Sequence, residues 1–356
     1  MTMADQRLEK LMRRKDLDVI LFWGPENIRY LCGFTGSDGA LIYTRGDRVF
    51  LTDSRYTEQA KGEVQNAVVS PYRQKIPGIS QALKSLRVRR IGFEAAAVNF
   101  ESYRRLQERI PRVSLLPLAT ELAGIRAVKE AEEIGWLRKA VRIASESFLK
   151  TIPKVKPGSR EAAVAESLEC QFRRRGGEKA SFDTIVASGY RGALPHGAAS
   201  EKRLAKGETV VIDFGTRFQG YHSDETKTLI LGKPDAKTKR IYEIVRRAQA
   251  KAIQAVRPGV TGREIDAAAR GVIQKAGYGK FFGHGTGHGV GLAVHEDPLI
   301  SPKGKAGVEE GMIFTVEPGI YVPGWGGVRL EDMVQVTSNG CERLTYLSKE
   351  IKHNIV

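Results

Sequence analysis

The stretch VVIDFGTRFQGYHSDETKTLIL, residues 210–231, decides the interpretation of this chain. VVIDFG and TKTLIL are typical of strands and RFQG of a turn, which predicts an antiparallel hairpin. Asp213 and Asp224 have their sequence midpoint at 218.5, inside that turn. Because residues equidistant from a turn lie opposite each other, we expect the Cβ atoms of these two acids to be about 4.5–5.5 Å apart.

A second hairpin of the same kind is predicted in MIFTVEPGIYVPGWGGVRLEDMVQV, residues 312–336. Glu317 and Glu331 have their midpoint at 324, inside the turn that Pro323–Gly327 predicts. The apolar residues beside both acidic pairs indicate burial. Buried carboxylates that face each other need a proton or a cation between them.

Between the hairpins lies FFGHGTGHGVGLAVHEDP, residues 281–298, which holds three of the six histidines of the chain. Its glycines disfavour a helix. The segment matches neither the HExxH pattern of zinc peptidases nor the GxGxxG pattern of dinucleotide loops. Each histidine alone is consistent with a structural role, but imidazoles combined with buried carboxylates indicate metal binding.

Four carboxylates and one imidazole carry a formal charge of about −4, which two divalent cations balance. Oxygen-rich ligation favours manganese, cobalt or iron over a thiolate-type zinc site. Two such ions, roughly 3.5–4 Å apart, lower the pKa of a shared water toward neutrality. The chemistry predicted is hydrolysis of an amide or ester without a protein nucleophile, and no GxSxG motif occurs.

The rest of the chain predicts two domains. Helix and strand patterns alternate in residues 1–118, which predicts an α/β domain, and the weakly patterned residues 119–126 are interpreted as a linker. In residues 127–356 a pair of helices precedes strands twice over, which indicates an α+β domain with an internal repeat.

Composition narrows the alternatives. The 356 residues include no apolar run long enough to cross a membrane and no secretory signal, so a cytoplasmic protein is expected. Three distant cysteines make a disulfide framework improbable. The net charge of +16 is spread over short runs and accompanies no nucleic-acid motif, so solvated surfaces are favoured over nucleic-acid binding.

The motifs IDFG, GYHSDETKT, HGTGHGVGLAVHE, TVEPGIY and VRLED, in this order, resemble those of the pita-bread metallopeptidases. That family includes aminopeptidase P, Xaa-Pro dipeptidase and methionine aminopeptidase. Residues 27–60 resemble the creatinase-like N-terminal domain of its proline-specific branch. The resemblance implies an α/β creatinase-like domain followed by an α+β pita-bread catalytic domain with a pseudo-two-fold repeat.

The resemblance also implies roles for individual residues. Asp213 would bind one metal ion, His288 and Glu317 the other, and Asp224 and Glu331 would bridge both. Glu317 would also act as the general base. His196 and His295 would contact the scissile carbonyl or transfer a proton, and His284 would lie nearby in the substrate pocket. Tyr321 and Arg329 would either orient Asp213 or contribute to strand packing. His222 and His353 are expected to be structural or to lie at the surface.

The function expected from the resemblance is a Xaa-Pro aminopeptidase with two divalent ions, manganese or cobalt, with zinc and iron as alternatives. The alternative within the family is a Xaa-Pro dipeptidase, which needs a cation for the free carboxylate of its substrate. The segment after His295, Glu-Asp-Pro-Leu-Ile, offers none. A non-catalytic binding protein and a metal-free creatinase are disfavoured because both lack the complete set of ligands. Proline-containing peptides and a second copy of the chain, as a homodimer, are the expected partners.

Overall fold

The computed structural model describes residues 2–356, which divide into two compact units, one ending at Arg126 and the other spanning Ala127–Val356. No helix in the described part of the chain has the length and apolar character that crossing a bilayer requires. The first unit contains six strands and six helices, in chain order α1 (Met3–Lys15), β1 (Val19–Phe22), α2 (Pro25–Cys32), β2 (Ala40–Tyr43), β3 (Arg48–Thr52), α3 (Thr57–Glu63), β4 (Val68–Pro71), α4 (Lys75–Ser85), β5 (Arg90–Glu94), α5 (Phe100–Arg109), β6 (Ser114–Leu118) and α6 (Thr120–Ala123).

The six strands of the first unit form one mixed sheet in the order β4-β3-β2-β1-β5-β6. The central strand β1 is buried along its whole length because apolar clusters cover both faces of the sheet. Residues 119–126, which the sequence analysis interprets as a linker, contain α6 and a 3₁₀ turn. Leu122 and Ile125 in this segment are buried in the core of the first unit.

The second unit repeats a pair of helices followed by strands. Its elements are α7 (Ala131–Thr151), α8 (Glu161–Arg174), β7 (Ile185–Ser188), β8 (Thr209–Phe214), β9 (Arg217–Phe218), β10 (Tyr221–His222), β11 (Glu225–Ile230), α9 (Ala236–Ala255), α10 (Gly262–Lys275), β12 (Gly287–Gly289), β13 (Glu296–Ile300), β14 (Ile313–Val316), β15 (Gly319–Val322), β16 (Gly326–Arg329), β17 (Asp332–Val336) and β18 (Cys341–Arg343).

The strands of the second unit fall into two main sheets, β11-β8-β7 and β13-β12-β14-β17-β18, with the small hairpins β9-β10 and β15-β16 beside them. One apolar core joins α7 and α8 to the first sheet, and another joins α9 and α10 to the second. Each half of the unit therefore packs its helices against one face of its own sheet, in agreement with the predicted repeat.

Strand alternation determines which side chains leave the helix-covered face. Val210 and Ile212 of β8 belong to the core with α7 and α8, so Asp213 points to the opposite side. In the other half, Phe314 and Val316 belong to the core with α9 and α10, so Glu317 points away from it. The acidic residues of both hairpins thus share the face that the helices leave uncovered.

Candidate active site

The first hairpin has a different register from the one predicted. Asp213 pairs with Thr226, and the small β9-β10 hairpin continues the same register around Gln219 and Gly220. Both turn residues have positive φ, 48° and 78°, which a two-residue turn of the type I′ class requires. The turn centre is therefore 219.5 rather than 218.5, and Asp224 is a diagonal neighbour of Asp213 on the same face, not its direct partner.

The second hairpin has the predicted register. Val316 pairs with Asp332 and Gly319 pairs with Arg329, so Glu317 and Glu331 lie opposite each other between these two pairs. The two hairpins are joined directly, because the Glu331 amide donates to the Thr226 carbonyl at 3.2 Å. This bond brings the acidic pair of one half beside the acidic pair of the other.

His288 of β12 completes a cluster with these acids. Ligand atoms of Asp224, His288 and Glu331 all lie within 4.8 Å of one another. The His288 Nε2 atom is 3.6 Å from Asp224 Oδ2 and 3.5 Å from Glu317 Oε1. Three elements from distant parts of the sequence thus direct carboxylate and imidazole groups at one point.

Burial controls the protonation of this cluster. Burial and the Glu331 charge raise the pKa of Asp224 well above its usual value, and burial and the Glu317 charge do the same to the pKa of Glu331. Burial raises the pKa of Glu317 to about 7. Burial lowers the pKa of His288 to about 4, so its imidazole is neutral at pH 7, the form that binds metal ions.

The donor set fits a divalent metal centre. Asp213 Oδ1 is buried and makes no hydrogen bond to any residue between 2 and 356, although its Oδ2 is ion-paired. A carboxylate oxygen left without a donor, beside the buried Asp224 and Glu331, the half-buried Glu317 and a neutral imidazole, requires a cation or protons. Oxygen and nitrogen ligands without thiolate suit hard or intermediate divalent ions.

Arg329 of β16 connects several parts of the site. Its guanidinium donates to Asp213 Oδ2 at 2.7 Å, to the Tyr321 hydroxyl at 3.0 Å and to the Pro195 carbonyl at 2.9 Å, and its Nε donates to Thr226 Oγ1 at 3.0 Å. Only 3% of this residue is exposed. Such a planar fork of donors fixes the Asp213 carboxylate and also the loop that precedes His196.

Replacing Tyr321 with phenylalanine is expected to lower the free energy of unfolding by about 1–3 kcal/mol. The reason is that the buried guanidinium of Arg329 loses the hydroxyl to which it donates. The Tyr321 hydroxyl accepts from Arg329 and lies 2.8 Å from His284 Nε2. Tyr190→Phe is the matched control because Tyr190 is 62% exposed. Urea unfolding of both variants in the presence of a chelator measures the difference. Equal stabilities for the two variants would contradict the expectation.

His295, one of the three candidate substrate histidines, lies beside the metal-ligand candidate His288. The His295 ring is 4.1 Å from the His288 ring, measured between centroids. Burial lowers the pKa of His284 to about 4 and, to a lesser extent, lowers the pKa of His295; the charge of His196 contributes to both shifts. At pH 7, His284 and His295 are therefore neutral. The one N–H group of His284 lies on Nδ1 and donates to the Gly285 carbonyl at 2.7 Å, while its Nε2 accepts from the Tyr321 hydroxyl. Of these two histidines, His295 is therefore the one that can offer an N–H group to a substrate.

The two histidines expected to be structural or at the surface, His222 and His353, lie in different environments. His222 is buried in β10, whereas His353 is exposed and its Nδ1 lies 2.8 Å from Ser348 Oγ.

Thr226 donates to Glu331 Oε2 at 2.6 Å, and Thr315 Oγ1 accepts from the His288 amide at 3.1 Å. Both threonines were overlooked, although strand alternation places Thr226 on the face of Asp224 and Thr315 on that of Glu317.

Buried acids and a neutral imidazole that converge with further histidines beside them define a metal-dependent hydrolase. Comparisons with known proteins give the same class. The model of metallopeptidase family M24 matches residues 135–338, and that of the creatinase/prolidase N-terminal domain matches residues 6–128. The chain belongs to metallopeptidase family M24 and is a metallo-exopeptidase.

Relatives with full coverage support this assignment. A Xaa-Pro dipeptidase of Pyrococcus furiosus is 39% identical over 97% of this chain and 99% of that protein. The solved structure of a Xaa-Pro dipeptidase from Bacillus anthracis superposes with a TM-score of 0.95, 39% identity and 99% coverage of both chains. That of an X-Pro aminopeptidase from Thermotoga maritima gives 0.88, 37% identity and coverage of 98% and 100%. The predicted fold, a creatinase-like domain followed by a pita-bread domain, is confirmed.

Proposed function

We propose that the chain cleaves the peptide bond before proline in Xaa-Pro dipeptides and that two divalent ions, manganese or cobalt, bind at the cluster. The observation that carries the proposal is the convergence of Asp224, His288 and Glu331 within 4.8 Å. The unpartnered oxygen of Asp213 and the proximity of Glu317 to His288 support a five-ligand set. Two cations held there would lower the pKa of a shared water and polarise the scissile carbonyl.

The protein groups supply the remaining chemistry. Glu317, whose pKa is about 7 in the absence of cations, is suited to accept a proton from the attacking water. Neutral His295 and the adjacent His196 are placed to donate to the substrate carbonyl or to protonate the leaving nitrogen. Proline has no N–H in a peptide. Recognition through the carbonyl and through the shape of the ring suits such a substrate better than recognition of an amide.

The choice between dipeptidase and aminopeptidase rests on different observations. The names of the relatives from Pyrococcus and Bacillus anthracis favour the dipeptidase. The strand after His295 favours the aminopeptidase expected from the sequence. Leu299, opposite His288, is apolar, and Lys129, which reaches this strand, is ion-paired at 2.8 Å with Glu296. We therefore keep the Xaa-Pro aminopeptidase as the second candidate.

Hydrolysis of Ala-Pro and of Ala-Pro-Ala by the manganese-loaded protein distinguishes the two candidates. For the dipeptidase, kcat/KM for Ala-Pro is expected to exceed that for the tripeptide at least tenfold, because the site gains an interaction with the free proline carboxylate, roughly 1.4 kcal/mol or more. Ala-Ala serves as the control for proline specificity. A preference for Ala-Pro-Ala would establish the aminopeptidase, and cleavage of neither proline peptide would contradict the proposed function.

We also propose that the protein is a homodimer. Native mass measured by light scattering at micromolar concentration tests this proposal. A mass equal to one chain would contradict it.

A further inference from the structure

Each half of the catalytic unit carries an acidic dipeptide at the site, Asp224-Glu225 in one half and Glu331-Asp332 in the other. Successive side chains of a strand point to opposite faces. Asp224 and Glu331 face the candidate metal centre, so Glu225 and Asp332 point toward the helix layers behind it. The peptidase chemistry described above uses neither of these two buried acids, each of which is 1% exposed.

Lys349, in the segment after β18, lies between these two acids. Its Nζ is 2.5 Å from Glu225 Oε1 and 3.2 Å from Asp332 Oδ1. The lysine is 6% exposed. One ammonium group therefore joins an acid from the first half of the repeat to an acid from the second half.

The hydrogen bonds around this ion pair fix its geometry. Ser145 of α7 donates to Glu225 Oε2 at 3.1 Å, and Thr345 donates to Asp332 Oδ1 at 2.7 Å. The Tyr242 hydroxyl of α9 donates to the Lys349 carbonyl at 3.2 Å. The network thus includes side chains from the helix layers of both halves, and it lies directly behind the strands that carry Asp224 and Glu331.

We propose that Lys349 is a positioning residue that keeps Asp224 and Glu331 at the separation needed to bind metal ions, by ion pairing with their neighbours Glu225 and Asp332. Asp224 and Glu331 repel each other when ionised, and each is covalently next to an acid that Lys349 attracts. Pulling Glu225 and Asp332 toward one ammonium group opposes the separation of β11 and β17. The hydrogen bond between Thr226 and Glu331 then holds the two strands in register.

This inference rests on the proposed metal site, and the test separates the two. Titration calorimetry with MnCl₂ is carried out on the full-length protein after removal of metal with a chelator. The Lys349→Met variant is expected to bind manganese about 10–100-fold more weakly than the wild type, as residues that orient metal ligands do. Lys349→Arg, which keeps the charge, is expected to recover most of the affinity. The absorption spectrum of bound cobalt provides a second readout, because its d–d bands respond to ligand geometry.

Lys352→Met is the matched control, since Lys352 is an exposed lysine of the same segment. If Lys349→Met does not fold, it is replaced by the variant Glu225→Gln/Asp332→Asn/Lys349→Met, which removes the three charges of this ion pair together and leaves the buried Lys227 as the remaining cation beside it. Weak binding by this triple variant is also expected, because the ionic link between the halves is gone. Wild-type affinity and an unchanged cobalt spectrum in a folded Lys349→Met or triple variant would overturn the inference. Failure of the wild type to bind manganese would instead contradict the proposed function.

Discussion

Glu331→Gln is expected to lower kcat for a Xaa-Pro peptide by roughly 10³-fold, because the proposed centre loses a ligand shared by both cations and each 1.36 kcal/mol of lost transition-state stabilisation costs a factor of ten. The fold should survive, since the glutamine oxygen can still accept from Thr226, which donates to Glu331 Oε2. Metal analysis is expected to find fewer than two manganese ions per chain. Activity and metal content are measured on the same preparation.

Glu166→Gln is the matched control, because Glu166 lies on the exposed face of α8, away from the acidic cluster. It should leave both kcat and metal content unchanged. Without metal, Glu331→Gln is expected to be at least as stable as the wild type, since it removes one of several mutually repelling buried acids. Full peptide turnover by Glu331→Gln would refute the proposed bridging role.

The stabilisation of the protein by manganese is expected to increase as pH rises from about 5 to about 8. Burial raises the pKa of Asp224, Glu331 and, to about 7, Glu317. Between the ordinary carboxyl pKa, about 4.3 for Glu, and these raised values, the metal-free folded state holds protons that the unfolded chain has released. For each such proton, the free energy of unfolding of the metal-free protein falls by up to about 1.4 kcal/mol per pH unit as pH rises through this window.

Bound cations take the place of those protons, so metal binding becomes more favourable as the protons leave. Scanning calorimetry of metal-free and manganese-loaded protein at pH 5, 6, 7 and 8 measures the difference in Tm. The same manganese concentration is used at every pH; a concentration about 1,000 times the Kd at pH 8 adds roughly 4 kcal/mol at that pH, and less as the Kd rises at lower pH. Glu317→Gln, which removes one titrating carboxyl, should flatten the pH dependence, whereas Glu166→Gln should not. A difference in Tm that stays constant across this range would argue against metal binding at the acids.

The sequence predicts the second hairpin better than the first for a physical reason. The turn between β15 and β16 is marked by proline and glycines, so its centre is visible, and Glu317 is correctly placed opposite Glu331. In the first hairpin the centre depends on Gln219, a residue other than glycine with φ of 48°. Positive φ is rare for glutamine, and no local sequence pattern predicts it at Gln219. Asp213 and Asp224 nevertheless share a face, because Asp224 is two residues from Thr226, the cross-strand partner of Asp213.

Other features of the site depend on tertiary contacts that no local pattern encodes. Arg329 lies in a predicted strand, but its contact with the Pro195 carbonyl joins residues 134 positions apart. Lys349 has no pattern around it that distinguishes it from the many surface lysines of a basic chain. The acids that it joins could be anticipated only from alternation, which places Glu225 and Asp332 behind the cluster.

The division of the acidic cluster between two halves has a consequence for biosynthesis. Asp213 and Asp224 come from the first half of the catalytic unit, whereas His288, Glu317 and Glu331 come from the second. A ribosome synthesises the first two more than sixty residues before it synthesises any of the other three. The five proposed ligands are complete only after Glu331 has been synthesised, so loading of both proposed cations must follow synthesis of the second half.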